Sequence, residues 1–210
     1  MTEKKKRLVE LYNNIKNCKR CWLRNVYNCP TPFAGSEEAI CLFVGEAPGE
    51  EEFVQGKPFV GKSGKILRQA VEDAGIDKRD IIITNTILCR PPNNNFPSDR
   101  TVIDACRIWF DYLFDIIQPE IVVAIGSKPH CYIRQRVDSI TSACGVWEKW
   151  TCNGKEVFYI ATLHPSFCLR PGRANSHNTI MRMTREEKIN LLLEHLFMVK
   201  NKIRELKNEQ

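Results

Sequence analysis

Apolar residues along this chain recur with two periods, and segments of the two kinds alternate. Leu8, Leu11, Tyr12 and Ile15 share one helical face within residues 3–17, with lysines on the other. ICLFVG (40–45) is a short apolar run stopped by Gly45 and reads as a buried strand. From Ser63, read as an N-cap, Ile66, Leu67, Ala70, Val71 and Ala74 return at helical spacing up to Gly75. DIIITNTIL (80–88) predicts the second strand, and the proline-rich CRPPNNNFPS a loop. Ser98 is expected to cap a helix running to Gln118, before Pro119. EIVVAIG (120–126) predicts a third strand, SKPHCYIRQRV its helix, and EVFYIATL (156–163) a fourth strand ending at HPS. Thr184 and Glu187 stand at capping-box spacing before INLLLEHLFMV, which fades into a lysine-rich end.

Strands alternating with helices imply a parallel sheet covered on both faces. The expected fold is therefore α/β, a three-layer α/β/α arrangement with a mainly parallel four-stranded central sheet. A helical, cysteine-bearing N-terminal extension (1–39) precedes the core (40–170), and a basic loop with a C-terminal helix (171–210) follows. With 210 residues and neither repeat nor flexible linker, the chain reads as a single domain.

Composition narrows the function class. A hydrophobic content of 43% with 27% charged residues is that of an ordinary globular protein. Neither a signal-peptide pattern nor an uninterrupted membrane-length apolar run is present, so the expectation is a soluble, intracellular (cytoplasmic) protein, a monomer with no membrane partner. The net charge of +6 favours an anionic partner. Ten cysteines in a reducing compartment point away from disulfides, and toward metal ligands for some and core positions for the rest.

GKPFVGKS (56–63) fits the phosphate-loop pattern G-x-x-x-x-G-K-S/T at Gly56, Gly61, Lys62 and Ser63. The preceding strand, however, ends at Gly45, too far upstream to deliver a phosphate cradle, and Pro58 removes an N–H from the loop. No strand ends in an aspartate for Mg²⁺. The match is read as a decoy.

In open α/β sheets ligands bind beyond the carboxyl ends of the strands. There the chain offers GEAPGEEEFVQGKPFVG after the first strand, Asn85 near the end of the second, and HPS after the fourth. An acid (Glu46), an amide (Asn85), a histidine (His164) and an aromatic ring (Phe59) around one cleft suit a planar, hydrogen-bonding base. Individually each has a plainer use: His164 could end a strand, Glu46 complete a turn, Asn85 satisfy backbone and Phe59 fill core.

Taken in order, GEAPGEEEFVQGKPFVGKSGKIL, TNTILCRPP and HPS closely resemble the family 4 uracil-DNA glycosylases from Cys18 to about Arg170. The resemblance implies a repair glycosylase that flips uracil out of single- or double-stranded DNA and hydrolyses its N-glycosidic bond. By resemblance His164 donates to uracil O2, and Glu46 positions water and stabilises the sugar cation. Asn85 reads O4 and N3–H, Phe59 stacks on the base, Glu52 closes the C5 edge against thymine, and the backbone of Gly45, Glu46 and Ala47 lines the pocket. After HPS, Ser166 is a candidate DNA contact, Phe167 or Leu169 a wedge, and Arg170 and Arg173 phosphate contacts.

Cys18 and Cys21 form C-x₂-C, with Cys89 and Cys106 as a second, wider pair. This spacing leaves zinc and an iron–sulfur cluster equally open. The resemblance implies a 4Fe–4S cluster on these four, tying the N-terminal helix to the loop near the DNA-facing side. Cys41 reads as core, Cys29 could replace a ligand, and Cys131, Cys144, Cys152 and Cys168 lack partners at ligand spacing.

Phe53 stands where the family has an acidic residue, and the segment RPGRANSHNTIMRM after HPS is longer than the family pattern. Two rival readings remain at this stage. One is a catalytically silent DNA- or uracil-binding member of the superfamily, and the other a zinc-stabilised nucleic-acid module.

Overall fold

Burial changes side at each step along the strands, as a sheet covered on both faces requires. The computed structural model describes residues 1–26, 29–135, 139–173 and 176–209. Its strands are β1 (Phe33–Gly35), β2 (Cys41–Gly45), β3 (Ile81–Asn85), β4 (Ile121–Ile125), β5 (Trp147–Cys152) and β6 (Lys155–Thr162). They form one sheet in the order β1-β3-β2-β4-β6-β5. The central β3-β2-β4-β6 are parallel, and β1 and β5 run antiparallel along the two edges.

The four strands expected from apolar runs are that parallel centre, and the sheet has six. The edge strands carry weaker signals. β1 is only the three residues FAG, and β5, WEKWTC, interleaves charged and aromatic side chains because one face meets solvent.

The helices are α1 (Glu3–Lys16), α2 (Leu23–Val26), α3 (Glu50–Gln55), α4 (Lys62–Asp73), α5 (Arg100–Ile117), α6 (Ser127–Arg134), α7 (Ile140–Ala143), α8 (Pro165–Cys168), α9 (Thr179–Arg182) and α10 (Arg185–Asn208). Leu42, Val44, Val122 and Ala124 pack toward α1 and α5. Their neighbours Cys41, Phe43, Ile121 and Val123 pack toward α4 and α10. Three layers result. Among the described residues no helix is long and apolar enough to cross a membrane.

Two expected caps move. Gly61, not Ser63, is the N-cap of α4, because Glu52 already binds the Gly61 N–H and turns the chain there. Asp99, not Ser98, caps α5, its carboxylate accepting the Thr101 N–H at 2.9 Å. The capping box of Thr184 and Glu187 opens α10 as expected. Arg136 and Val137 of the helix expected after the third strand, and Ala174 and Asn175 of the basic segment, lie outside the described residues.

Candidate active site

The parallel strands end together, and their carboxyl ends carry the informative residues. Gly45 of β2 pairs in register with Asn85 of β3. Thr86 then donates both its N–H and its hydroxyl to the Gly45 carbonyl, at 2.8 and 2.9 Å, fixing the two strand ends. Asn85 is 4% exposed, and its side-chain amide makes no hydrogen bond to a described residue. A buried amide in that state is built for a ligand.

Phe59 reaches this point from the loop before α4 with φ of 55°, in the left-handed region. Three features hold it there. Arg68 donates to the Phe59 and Pro58 carbonyls at 2.9 and 3.3 Å. Gly64 lets the Phe59 backbone lie directly on α4, where a Cβ would overlap the Phe59 carbonyl. Gly45 makes room on the other side, since a Cβ there would collide with both the Phe59 ring and the Asn85 side-chain oxygen. Two glycines therefore place one aromatic ring.

Glu52 is 8% exposed, and its carboxylate accepts the N–H groups of Gly49 at 3.1 Å and Gly61 at 2.8 Å. It thus ties the N-cap of α3 to the N-cap of α4 and borders the cleft as a fixed wall. This also disposes of the phosphate-loop pattern: α3 stands between β2 and Gly61, and Lys62 points to solvent rather than into the cleft.

His164 enters from the end of β6 and caps α8. Its Nδ1 accepts the Ser166 N–H at 3.2 Å and lies 2.8 Å from the Ser166 hydroxyl. An Nδ1 that accepts a backbone N–H carries no proton, so the neutral ring keeps its proton on Nε2 as a donor. Burial first, and the Arg170 charge second, hold its pKa down at about 4. The Phe59 and His164 rings lie 6.3 Å apart, tilted by 36°.

Glu46 has the opposite perturbation. Burial raises its pKa above the ordinary carboxylate range, partly offset by Lys128 and Arg170. Its carboxylate makes no hydrogen bond to a described residue. These groups line one cleft of about 280 Å³ that holds Glu46, Ala47, Glu52, Phe59, Asn85, His164, Ser166 and Arg170 together.

Of the remaining expected contacts, Leu169 is exposed at the rim (41%), whereas Phe167 is half-buried beneath the Lys188 ammonium, 4.3 Å from its ring centre. Arg173 is exposed and does not line the cleft. Phe53 is half-buried outside it. Two contributors had no signal in the sequence. Asn94, in a run of asparagines, lines the cleft with φ of 56°. Lys188 is fully buried and donates to the Arg170 carbonyl at 2.9 Å, pinning the loop after His164.

Behind Ala47 lies a cluster of Leu23, Ile87, Val102, Cys89 and Cys106, with Cys21 packed against it. Burial, then the nearby Cys106, Cys21 and Cys18, push Cys89 up to about 12; burial likewise dominates at Cys106, also about 12, with Cys21 and Cys18 adding to it. Cys18 and Cys21 therefore lie near enough to act on both Cys89 and Cys106. Arg24 donates to the Cys18 and Lys16 carbonyls at 2.9 Å, and the Trp22 indole N–H donates to Asp99 at 2.9 Å, anchoring the C-x₂-C segment to α5. Among the described residues no group of three or more His, Cys, Asp or Glu is set to hold a metal ion as it stands. Cys29 bonds the Lys16 ammonium at 3.4 Å.

Comparison with known proteins gives the family. The profile of the uracil DNA glycosylase superfamily matches residues 32–189. A type-4 uracil-DNA glycosylase of Sulfurisphaera tokodaii is 36% identical over 167 residues, covering 77% of this chain and 76% of the relative. One from Thermotoga maritima is 34% identical over 174 residues, covering 82% of this chain and 86% of the relative. A type-5 uracil-DNA glycosylase of Pyrobaculum aerophilum is more distant, at 26% over 175 residues and 76% of each chain. On its matched profile, its relatives and its fold, the chain belongs to the uracil-DNA glycosylase superfamily and, within it, to the type-4 uracil-DNA glycosylases.

Proposed function

We propose that this DNA-repair glycosylase, intracellular and built as one domain over residues 1–210, excises uracil with His164 and Glu46 as its catalytic pair. Heterolysis of the N-glycosidic bond leaves a cationic sugar and an anionic base, so a catalyst must stabilise negative charge on uracil O2 and deliver water to the sugar carbon. The His164 Nε2–H is the donor to O2. Glu46 as a carboxylate faces the developing sugar cation and orients the water, which adds its oxygen to C1′ and releases a proton. Asn85 reads O4 and N3–H, a pattern that the amino group of cytosine contradicts. Phe59 stacks on the base, and the wall held by Glu52 excludes the thymine methyl. Leu169 is the wedge better supported by exposure, and Arg170 the phosphate contact.

One observation carries this reading: Gly45 permits the Phe59 ring and the unpaired Asn85 amide to converge on a single site. An oligonucleotide containing one uracil, incubated with the protein and then treated with alkali, is cleaved at that position, while thymine and cytosine controls stay intact. Gly45→Ala displaces the ring and the amide and lowers uracil excision about 10²-fold, the cost of a misplacement on the order of 1 Å. An unaffected Gly45→Ala rate, or cleavage at thymine, would reject the pocket as described.

Cys18, Cys21, Cys89 and Cys106 would hold a 4Fe–4S cluster. At Cys89 and Cys106, where burial pushes the thiol pKa to about 12, a bound thiolate needs strong positive charge beside it, which an iron–sulfur core would supply when bound. The spacing of the four cysteines suits zinc as well as a cluster, and the resemblance to the family 4 enzymes favours the cluster. The residues it would tie are α1, the C-x₂-C segment, the loop after β3 and α5, directly behind Ala47, so its role is structural. Purified protein is expected to absorb in the visible region, and Cys106→Ala to lose that band together with several degrees of Tm. Colourless, fully folded protein containing zinc would overturn the assignment.

A further inference from the structure

A second groove, of about 520 Å³, opens beside the catalytic cleft between the start of α5 and α6. Both walls begin at the carboxyl end of the sheet: α6 follows β4 directly, and α5 follows the loop after β3. Continuity with the catalytic cleft is built into the chain, because Asn94 lines the cleft and Phe96, two positions on, lines the groove. Lys128 lines the groove, and its charge reaches the Glu46 carboxylate of the cleft.

The lining has a definite chemistry. Phe96 is half-buried, its back set against the cysteine cluster and the Lys128 ammonium 5.6 Å from its ring centre. Exposed Lys128 and Arg100 make no hydrogen bond or ion pair with a described residue, so both charges are open to a ligand. Arg107 lies over the Tyr132 ring at 5.4 Å and bonds Asp111 at 2.9 Å, yet its Nη1 is buried with no partner among the described residues. Asp104 is the single acidic side chain in the lining, against three cations, Arg100, Arg107 and Lys128.

An aromatic platform flanked by cations, some of them free of ion pairs, is how proteins hold an unstacked nucleotide, with the base on the ring and the phosphates on the charges. We propose that this groove is a second nucleic-acid subsite, taking an unpaired nucleotide that neighbours the flipped uracil on the same strand, with its base on Phe96 and its phosphate at Arg100 and Lys128. The proposal rests on the glycosylase reading for the identity of the strand, but its binding chemistry does not depend on turnover.

The test is therefore a binding measurement: fluorescence anisotropy of a short single-stranded DNA oligonucleotide without uracil, titrated with the whole protein at several salt concentrations. Loss of one base–aromatic stack weakens binding about 5- to 150-fold, which is the change expected for Phe96→Ala, while Phe96→Tyr keeps the wild-type affinity. Arg100→Ala, away from the cysteine cluster, weakens binding and lowers the slope of log K against log salt by about one. Matching melting temperatures and visible spectra show that the variants are folded. Wild-type affinity in both Phe96→Ala and Arg100→Ala would overturn the subsite. Failure of wild-type protein to excise uracil, with Phe96-dependent binding intact, would instead remove the glycosylase reading and leave the subsite standing.

Discussion

Glu46→Gln lowers uracil excision about 10²- to 10⁴-fold and removes the acidic limb of the pH–rate profile, the range expected for loss of a positioned acid–base group. The carboxylate sits at the end of β2, where burial is the first cause of its raised pKa, and Lys128 and Arg170 pull it back. In the proposed mechanism only the ionised form balances the sugar cation and orients water. Excision therefore falls as pH drops through a pKa above the ordinary value of 4.5, by about tenfold per pH unit below it. His164, held at about 4, is still neutral across that window and does not produce the limb. Lys128→Ala removes a charge that favours the ionised form, so the limb moves to higher pH.

Stability runs the other way. A carboxyl whose folded-state pKa is raised binds protons more readily in the folded than in the unfolded chain, so its ionised form costs stability once pH exceeds the unfolded pKa. Glu46→Gln removes that cost, and at neutral pH the variant melts no lower than wild type. A slow enzyme with an undiminished Tm separates lost chemistry from lost fold. A Gln variant that kept the acidic limb would assign the limb to another group.

Much of this arrangement was legible in the order of residues, because parallel strands announce themselves as apolar runs and the carboxyl ends of such strands are where ligands bind. Gly45, Glu46, Asn85 and His164 each stand at such an end. Features set by contacts far along the chain leave no such local mark. β1 and β5 are edge strands whose pairing comes from neighbours far along the chain rather than from their own composition. Lys188 lies among the charged residues of a helix start, and only the return of the loop to bring the Arg170 carbonyl over it makes it a buried anchor. Glu52 is expected at the pocket edge, but its bonds to Gly49 and Gly61 depend on the loop after α3 returning Gly61 to it. Caps shifted by one or two residues because Gly61 and Asp99 competed with the serines beside them, and tertiary bonds decided between them.

His164→Ala lowers the single-turnover excision rate about 10²- to 10³-fold at saturating DNA, the loss measured when one donor to a developing oxyanion is removed. DNA affinity changes far less, since the hydrogen bond strengthens only as charge collects on O2. A neutral donor is the appropriate one here: the ring gains no proton until pH falls to about 4, so its Nε2–H is present throughout the working range. Its direction is set at Nδ1 by the Ser166 N–H and hydroxyl, and at Cβ by Gly126, which approaches so closely that any larger residue would press on the ring. Ser166→Ala keeps the backbone bond that fixes the tautomer but frees part of the ring's restraint, so it costs less than His164→Ala and leaves the pH profile in place. A His164→Ala rate within about tenfold of wild type would mean that O2 is stabilised elsewhere, with Arg170 and the backbone beside Gly45 as the remaining donors.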